Sequence, residues 1–554
     1  MMKFLNFLFF GLVFFCFNPA KAQWNSNVSL NTTVALVPKS QQNIHSVTDN
    51  KNGIIIGWDD NRNSLTGSTD IYAQGLNADG VAKWASSGVA ICTNTNTQRS
   101  VSVVEDGNGG AILTWEDNRA GNYDIYAQKV DSNGVPQWTT DGVIITNGLT
   151  NQKNPKIVND NAGGAIIVWE DSVNFYFDIY AQRINSTGTV VWTTNGVAIC
   201  TSPNTQNNPK LDINGFGGAI ITWQDKRTTF DYDIYAQNIN STGTVLWPVN
   251  GVAVCNAVNT QNNPRIEPDG ANGAVIAWTD KRGGIDYDIY AQRLDASGAP
   301  QWLTNGIVIC NNTSNQSALD IKYLGSSGVA LSWKDFRGGN FDIYAQIISL
   351  TGTGVMAANG IKISNSLKSL NPNNISDGAG GVIIAWEDST SVGWDITSQK
   401  INSLGALQWT AGGVTVCNAI GDQINVSQVP DGLGGAIYAW EDHRNATDYD
   451  VFAQHLYTSG SPQGIKIIDY TASNIKFYPN PAGMNAEIHL PNCGACSFEI
   501  FVYNGIGEMV KHEVAKNKDI VSLQFFELNN GIYHYTIRGS ENAIIHNGTF
   551  ILEK

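Results

Sequence analysis

The sequence predicts an all-β chain: an eight-bladed β-propeller of four-stranded blades, followed by a small antiparallel β-sandwich. Three observations predict it. A Trp-x-Asp phrase recurs eight times, every 53 to 57 residues. About ten residues after each comes Asp-Ile-Tyr-Ala-Gln or a near variant. From about Ile475 the repeat stops, yet apolar and polar residues go on alternating around Gly/Asn turns. Composition agrees, with 16 Trp and 56 Gly among 554 residues.

The repeat is the dominant signal. Trp58, Trp115, Trp169, Trp223, Trp278, Trp333, Trp386 and Trp440 set its register. The Gln of the later phrase never varies: Gln74, Gln128, Gln182, Gln237, Gln292, Gln346, Gln399 and Gln454. One repeat parses into four strands. Asn154 to Val158 is short and extended, and Asn161-Ala162-Gly163-Gly164 turns the chain. Ala165 to Trp169 is nearly all apolar, which predicts burial on both faces. Asp178 to Ile184 alternates, and Thr189 to Cys200 supplies the outer strand. Four antiparallel strands per unit, repeated eight times, predict a propeller; a β-solenoid has a shorter coil period.

A turn glycine follows six residues after each Gln, as at Gly134 and Gly188. A second Trp then appears in six repeats: Trp84, Trp138, Trp192, Trp247, Trp302 and Trp409. The stretch Tyr180-Ala181, Thr187-Gly188, Trp192 is similar to the tryptophan-docking motif of eight-bladed quinoprotein propellers, with one residue more between Ala and Gly. The resemblance implies that each Trp wedges between neighbouring blades. It does not imply quinone chemistry, because the adjacent cysteine pair is absent, and no cofactor is expected. The last repeat lacks its docking Trp. Gln23-Trp24 matches Gln137-Trp138, so Trp24 and its strand are expected to complete blade eight. Met356 marks the other repeat without a docking Trp.

Formal net charge is -15, with no basic run. Nucleic acid and anionic membrane surfaces are therefore poor partners. Residues 1–22 read as a secretory signal: Lys3, an apolar core from Leu5 to Phe17, and Ala20-Lys21-Ala22 before the cut. The apolar run is too short to span a bilayer, and no other segment could. The expected domains are a signal peptide at 1–22, a propeller at 23–470 and a C-terminal module at 475–554. A monomer is expected.

Cys92, Cys200, Cys255, Cys310 and Cys417 end the same phrase in their repeats, with Thr146 and Ser364 in the slot elsewhere. Equivalent places in separate blades cannot pair, so these read as small buried side chains. No metal site is expected. Cys493 and Cys496 stand alone in Cys-Gly-Ala-Cys, the reading of a local disulfide in an exported protein.

The tail carries Phe477-Tyr478-Pro479-Asn480-Pro481-Ala482, then Val502-Tyr503-Asn504-Gly505-Ile506-Gly507-Glu508. Leu528-Asn529-Asn530-Gly531-Ile532-Tyr533 and Gly548-Thr549-Phe550 follow. It resembles the type A sorting domain of the type IX secretion system of Bacteroidota. The resemblance implies a β-sandwich, engagement of that machinery through residues 475–554, and export to the cell surface or the medium.

The polar loop after the first Trp carries the candidate ligand-binding residues. They are Asp117, Arg119 and Tyr123; Asp225, Arg227 and Tyr232; Asp280, Arg282 and Tyr287; and Trp394. Aromatic faces with carboxylates and guanidinium groups suit a glycan or a peptide. The bland reading is scaffold, since Asp accepts turn amides and Arg pairs with Asp across a hairpin. Repeats three and seven lose the Arg, with Val173 and Thr390 in its place. No Asp-x-Asp-x-Asp-Gly spacing supports calcium. No catalytic residue is expected, because His45, His443 and His455 neither recur nor cluster. The predicted function is an exported, non-catalytic glycan- or protein-binding module. The alternative is a glycan-cleaving hydrolase or lyase with its site at the propeller channel.

Overall fold

A computed structural model describes residues 24–64, 67–173, 175–228, 230–462, 475–490, 497–505, 508–516, 520–538 and 544–554. The expected signal segment and the Cys493–Cys496 pair lie outside them. The chain divides into two compact units, Met1–Gly464 and Ile465–Lys554. Among the described residues no helix is long and apolar enough to cross a membrane.

The first unit is all-β, with repeated four-stranded antiparallel sheets consistent with a propeller-like fold. Each sheet is a meander. The first runs Gln41–Thr48, Ile54–Asp60, Asp70–Leu76, Val89–Cys92. Seven sheets follow this plan. An eighth takes Gln423–Pro430, Ala436–Asp442 and Asp450–Leu456, and its outer strand is Thr32–Ala35 from the other end of the chain. Thr32 lies opposite Ala453 there, and Ala35 opposite Val451. The first strand of each sheet packs on the first strand of the next. The series returns from Gln423–Pro430 to Gln41–Thr48.

The second strands are buried along most or all of their length, as their apolar runs predict; Ala111–Asp117 is buried throughout. The third strands differ: residues 178–184 alternate in burial along much of their length, as their sequence does, whereas Asp124–Val130 is buried throughout. Neighbouring sheets cover both faces, so the polar side chains must be satisfied internally. This explains the invariant Gln. Gln128 Nε2 donates to the Thr139 carbonyl at 2.8 Å. Its Oε1 accepts the Lys129 and Trp138 N–H groups, each at 2.9 Å. The side chain thus pins the turn that presents the docking Trp.

Each docking Trp crosses to the next sheet. Trp84 Nε1 donates to the Ser132 carbonyl at 3.1 Å, and Trp192 Nε1 to that of Ser241 at 3.1 Å. The ring covers the turn glycine: a Cβ on Gly134 would lie 2.5 Å from Trp84. Trp24 makes the same contact across the chain ends, donating to the Ala78 carbonyl at 2.8 Å. Met356 fills the place in the sixth sheet, against Gly405.

The second unit holds two antiparallel sheets. Lys476–Tyr478, Asn485–His489 and Ile520–Gln524 form one. Ser497–Tyr503, Met509–Lys516, Gly531–Arg538 and Ile544–Leu552 form the other. They share one core around Ile488, Ile500, Leu523, Phe525 and Phe550, with Phe477 stacked 4.3 Å from Phe550. The motif asparagines bond backbone: Asn504 Oδ1 accepts the Glu508 N–H across a turn, and Asn480 Oδ1 accepts that of Ile551 on the last strand.

Candidate functional site

Three hairpins carry most of the loop candidates, all on one plan. Asp117 is 0% exposed. It accepts the Trp115 indole N–H at 2.9 Å, the Arg119 backbone N–H at 3.0 Å, and Arg119 Nε and Nη2 at 2.8 and 2.5 Å. Arg119 lies 3.9 Å from the Tyr126 ring centroid, and that ring stacks on Trp115. Asp225 with Arg227, and Asp280 with Arg282, repeat the bidentate pair, each with a closest approach of 2.6 Å. The free guanidinium N–H crosses to a turn carbonyl at 2.8 Å, that of Asp141, Asn250 or Asn305. These six side chains are satisfied by the sheet itself, without a ligand.

The aromatics sit at separate sheet boundaries and are half-buried. The carbonyls of Tyr123, Tyr232 and Tyr287 accept the N–H groups of Gln152, Gln261 and Gln316, which open the next sheets. Each ring has a cation beside it. Arg99 lies 4.2 Å from the Tyr123 centroid, Lys226 5.5 Å from Tyr232, Lys281 5.6 Å from Tyr287, and Lys368 5.2 Å from Trp394.

The second Asp of each hairpin faces the first. Asp124 pairs in register with Asp117, and burial followed by that neighbour pushes its carboxyl up to about 6.

Where an acid precedes the buried Asp, as at Glu116, Glu170 and Glu387, it turns the other way, to the neighbouring sheet. Glu116 Oε1 accepts the Asn154 N–H at 2.9 Å, Glu170 that of Asn208 at 2.8 Å, and Glu387 that of Asn425 at 2.8 Å. Those N–H groups belong to a bulge near the start of each first strand, where Asn154 takes φ 53 and Asn208 φ 54. Asparagine tolerates that left-handed backbone better than most residues.

Beyond the bulge the first strands line two cavities. One, of about 290 Å³, is bounded by Asn43, His45, Asn371, Asn373, Glu387 and Glu441 among others. The other, of about 210 Å³, is bounded by Ser102, Lys156, Lys210, Arg265, Glu267 and Asp320 among others. Between them, all eight first strands contribute.

Four residues after the opening Gln or Ser, these strands carry His45, Ser102, Lys156, Lys210, Arg265, Asp320, Asn373 and Ser427. Burial lowers the Lys156 amine, and burial with Arg265 and Lys156 lowers Lys210 well below its usual range. Desolvation by the surrounding strands, then these two lysines, lowers the His45 imidazole, although its surface remains open to solvent. Arg265 Nε is 3.8 Å from Asp320, and Lys322 pairs with Glu267 at 3.0 Å. Burial, then Glu267, raises Asp212 to about 7. Among the described residues Lys156 and Lys210 have no ion-pair partner. Among those residues, too, no group of three or more His, Cys, Asp or Glu is placed to hold a metal ion.

Apart from His45, none of these channel residues figured in the sequence reading. The available signal was the register of the opening Gln: counting four residues from Gln152, Gln206 and Gln261 reaches three cations.

Residues 476–550 match a family model described as a secretion system C-terminal sorting domain, that of type IX secretion. That tail implies export to the cell surface or the extracellular space. No curated protein matches the chain by sequence. Solved structures with a similar backbone include a PL25 ulvan lyase bound to a GlcA(1-4)Rha3S unit. It has 9% identity and TM-score 0.41, covering 79% of this chain and 98% of that one. A GH93 α-L-arabinofuranosidase of Fusarium graminearum has 12% identity and TM-score 0.34, covering 66% and 94%. A protein of unknown function from Dyadobacter fermentans has 8% identity and TM-score 0.36, covering 65% and 94%. At scores this low neither fold nor activity is carried over to this chain.

Proposed function

We propose that this chain is an exported, non-catalytic ligand-binding protein. Residues 23–470 form an eight-bladed β-propeller, sent out by the module at 475–554 after removal of residues 1–22. A glycan or a protein group binds in the cavities at the centre of the ring. The cyclic packing of first strands and the pairing of Thr32–Ala35 in the last sheet support the closed propeller.

One observation carries the choice of site. On the loop face the repeat is uniform and internally satisfied, as at Asp117 and Arg119. At the channel the equivalent position differs from sheet to sheet, from Lys210 to Asp320 to Asn373. Uniform polar residues serve every blade alike, whereas unlike sets, Lys210 with Asp320 in one cavity and His45 with Asn373 in the other, make each cavity distinct.

The test is a glycan array probed with the purified protein, alongside a screen for polysaccharide cleavage. Binding without release of reducing or unsaturated ends supports the proposal, and release would overturn its non-catalytic part. A specific observation favours that second reading, a glycan-cleaving enzyme. Asp212, raised to about 7, keeps its proton near neutrality beside Glu267, the pattern of an acid set apart from its neighbour.

A further inference from the structure

We propose that the cavity bounded by Lys156, Lys210 and Arg265 is an oxyanion site, taking the carboxylate or sulfate of a sugar-sized ligand. The proposal rests on the channel reading above and names its ligand class.

Three adjoining first strands each place a cation at the same position, and all three side chains border one enclosure of about 210 Å³. The repeat does not require this. Equivalent positions elsewhere hold His45, Ser102, Asn373 and Ser427 without harm to the sheets. The enclosure is small beside a drug-sized pocket, so it suits one charged group with its sugar ring.

Clustering these cations is costly for folding. Arg265 and Lys156 lower the charged form of Lys210, and Arg265 that of Lys156, against the carboxylates of Glu116, Glu170 and Asp320, which favour it. No internal carboxylate relieves Lys156 or Lys210 by an ion pair among the described residues. Arg265 is only loosely held by Asp320, at 3.8 Å, and its Nη1 donates to the Pro264 carbonyl at 3.2 Å. The guanidinium keeps further N–H donors for a planar anion. The chain as a whole carries -15, so this local excess of positive charge runs against the global sign. Half-buried like charges without a close ion-pair partner are a feature of sites more than of scaffolds. A bound oxyanion would add counter-charge at close range to that of Glu267 and Asp320, and Ser102, which also lines the cavity, adds a hydroxyl donor.

The experiment is calorimetric titration of the purified protein with sodium glucuronate, sodium sulfate and glucose. It is repeated on Lys156→Gln, Lys210→Gln and the double variant. Both anions are expected to bind the wild type, and glucose is not. Each single substitution should weaken anion binding at least tenfold. The melting temperature without ligand should hold or rise, because repulsion is removed, and this shows the variants are folded. Sulfate binding without glucuronate supports the oxyanion site and assigns it to a free anion. Equal binding of glucose and glucuronate, lost in neither variant, overturns it. If neutral glycans bind and a channel substitution such as Asn373→Trp blocks them, the oxyanion class fails while the channel reading survives. If only Tyr232→Ala and Tyr287→Ala abolish binding, both fail.

Discussion

Cys200 Sγ, at the outer edge of one sheet, lies 3.5 Å from Nη2 of Arg227 in the next. The relationship recurs at Cys92 with Arg119, Cys255 with Arg282, Cys310 with Arg337 and Cys417 with Arg444, at 3.1 to 3.7 Å. Where the next sheet has Val173 or Thr390 instead of Arg, the slot holds Thr146 or Ser364. The cysteine is thus fitted to the guanidinium of its neighbour, and repeats two and three, like six and seven, depart as matched pairs across their boundary. Arg227→Val leaves Asp225 buried without its cation, a loss of about 3–5 kcal/mol. Adding Cys200→Thr should recover part of it, with a coupling of about 0.5–3 kcal/mol in urea unfolding. Strict additivity would contradict the pairing.

Burial pushes the five thiols up to about 12. The reactive species is the thiolate. Iodoacetamide at pH 8 should therefore label none of the five in the folded protein and all of them after denaturation. Mass spectrometry showing native labelling at Cys200 would refute this.

The ring depends on its first docking residue. Trp24 is 2% exposed and covers Gly80, which has φ 77. Trp24→Ala should cost about 3–5 kcal/mol of stability in urea unfolding. A neutral result would mean that the chain ends do not hold the last sheet to the first.

Acidity should stabilise the sheets between neutrality and pH 5. Asp124, Asp178, Asp233, Asp288, Asp395 and Asp450 are each raised to about 6, first by burial. A raised carboxyl binds its proton more tightly folded than unfolded. Its contribution is complete below about 3.9 and fades as pH rises through 6. The melting temperature should therefore climb from pH 7 to pH 5, less steeply in Asp124→Asn. A fall over that range would contradict the assignment.

Much of the fold was legible because it recurs. Trp115, Asp117, Gln128 and Trp138 stand at fixed spacing, and Trp24 could be matched to Trp138 from its neighbour Gln alone. The alternation of residues 178–184 carried through to their burial, but it could not show that Asp124–Val130 is covered on both faces, with Gln128 bonded internally. The loop candidates were visible as residue types, but sequence could not show that Arg119 is spent on Asp117. The channel was hidden for a geometric reason. The bulge at Asn154 breaks the period of two, so no pattern tells which side chains of the first strand reach the ring's interior. Asn214 and Asn238, bonded at 2.8 Å, were equally unreadable. They replace the carboxylate–cation pair seen at Asp160 and Arg183.

Export should depend on the second unit. Residues 476–550 match the sorting domain, so a chain truncated after residue 474 should stay in the cells that make it. Immunoblots of medium and surface fractions check this; unchanged export would contradict it.

The most direct test is a crystal structure of the protein grown with glucuronate or sulfate. The account predicts ligand density between Lys156, Lys210 and Arg265, inside the ring of first strands. Density on the loop face against Tyr232 or Tyr287, with the channel free of ligand, would contradict it.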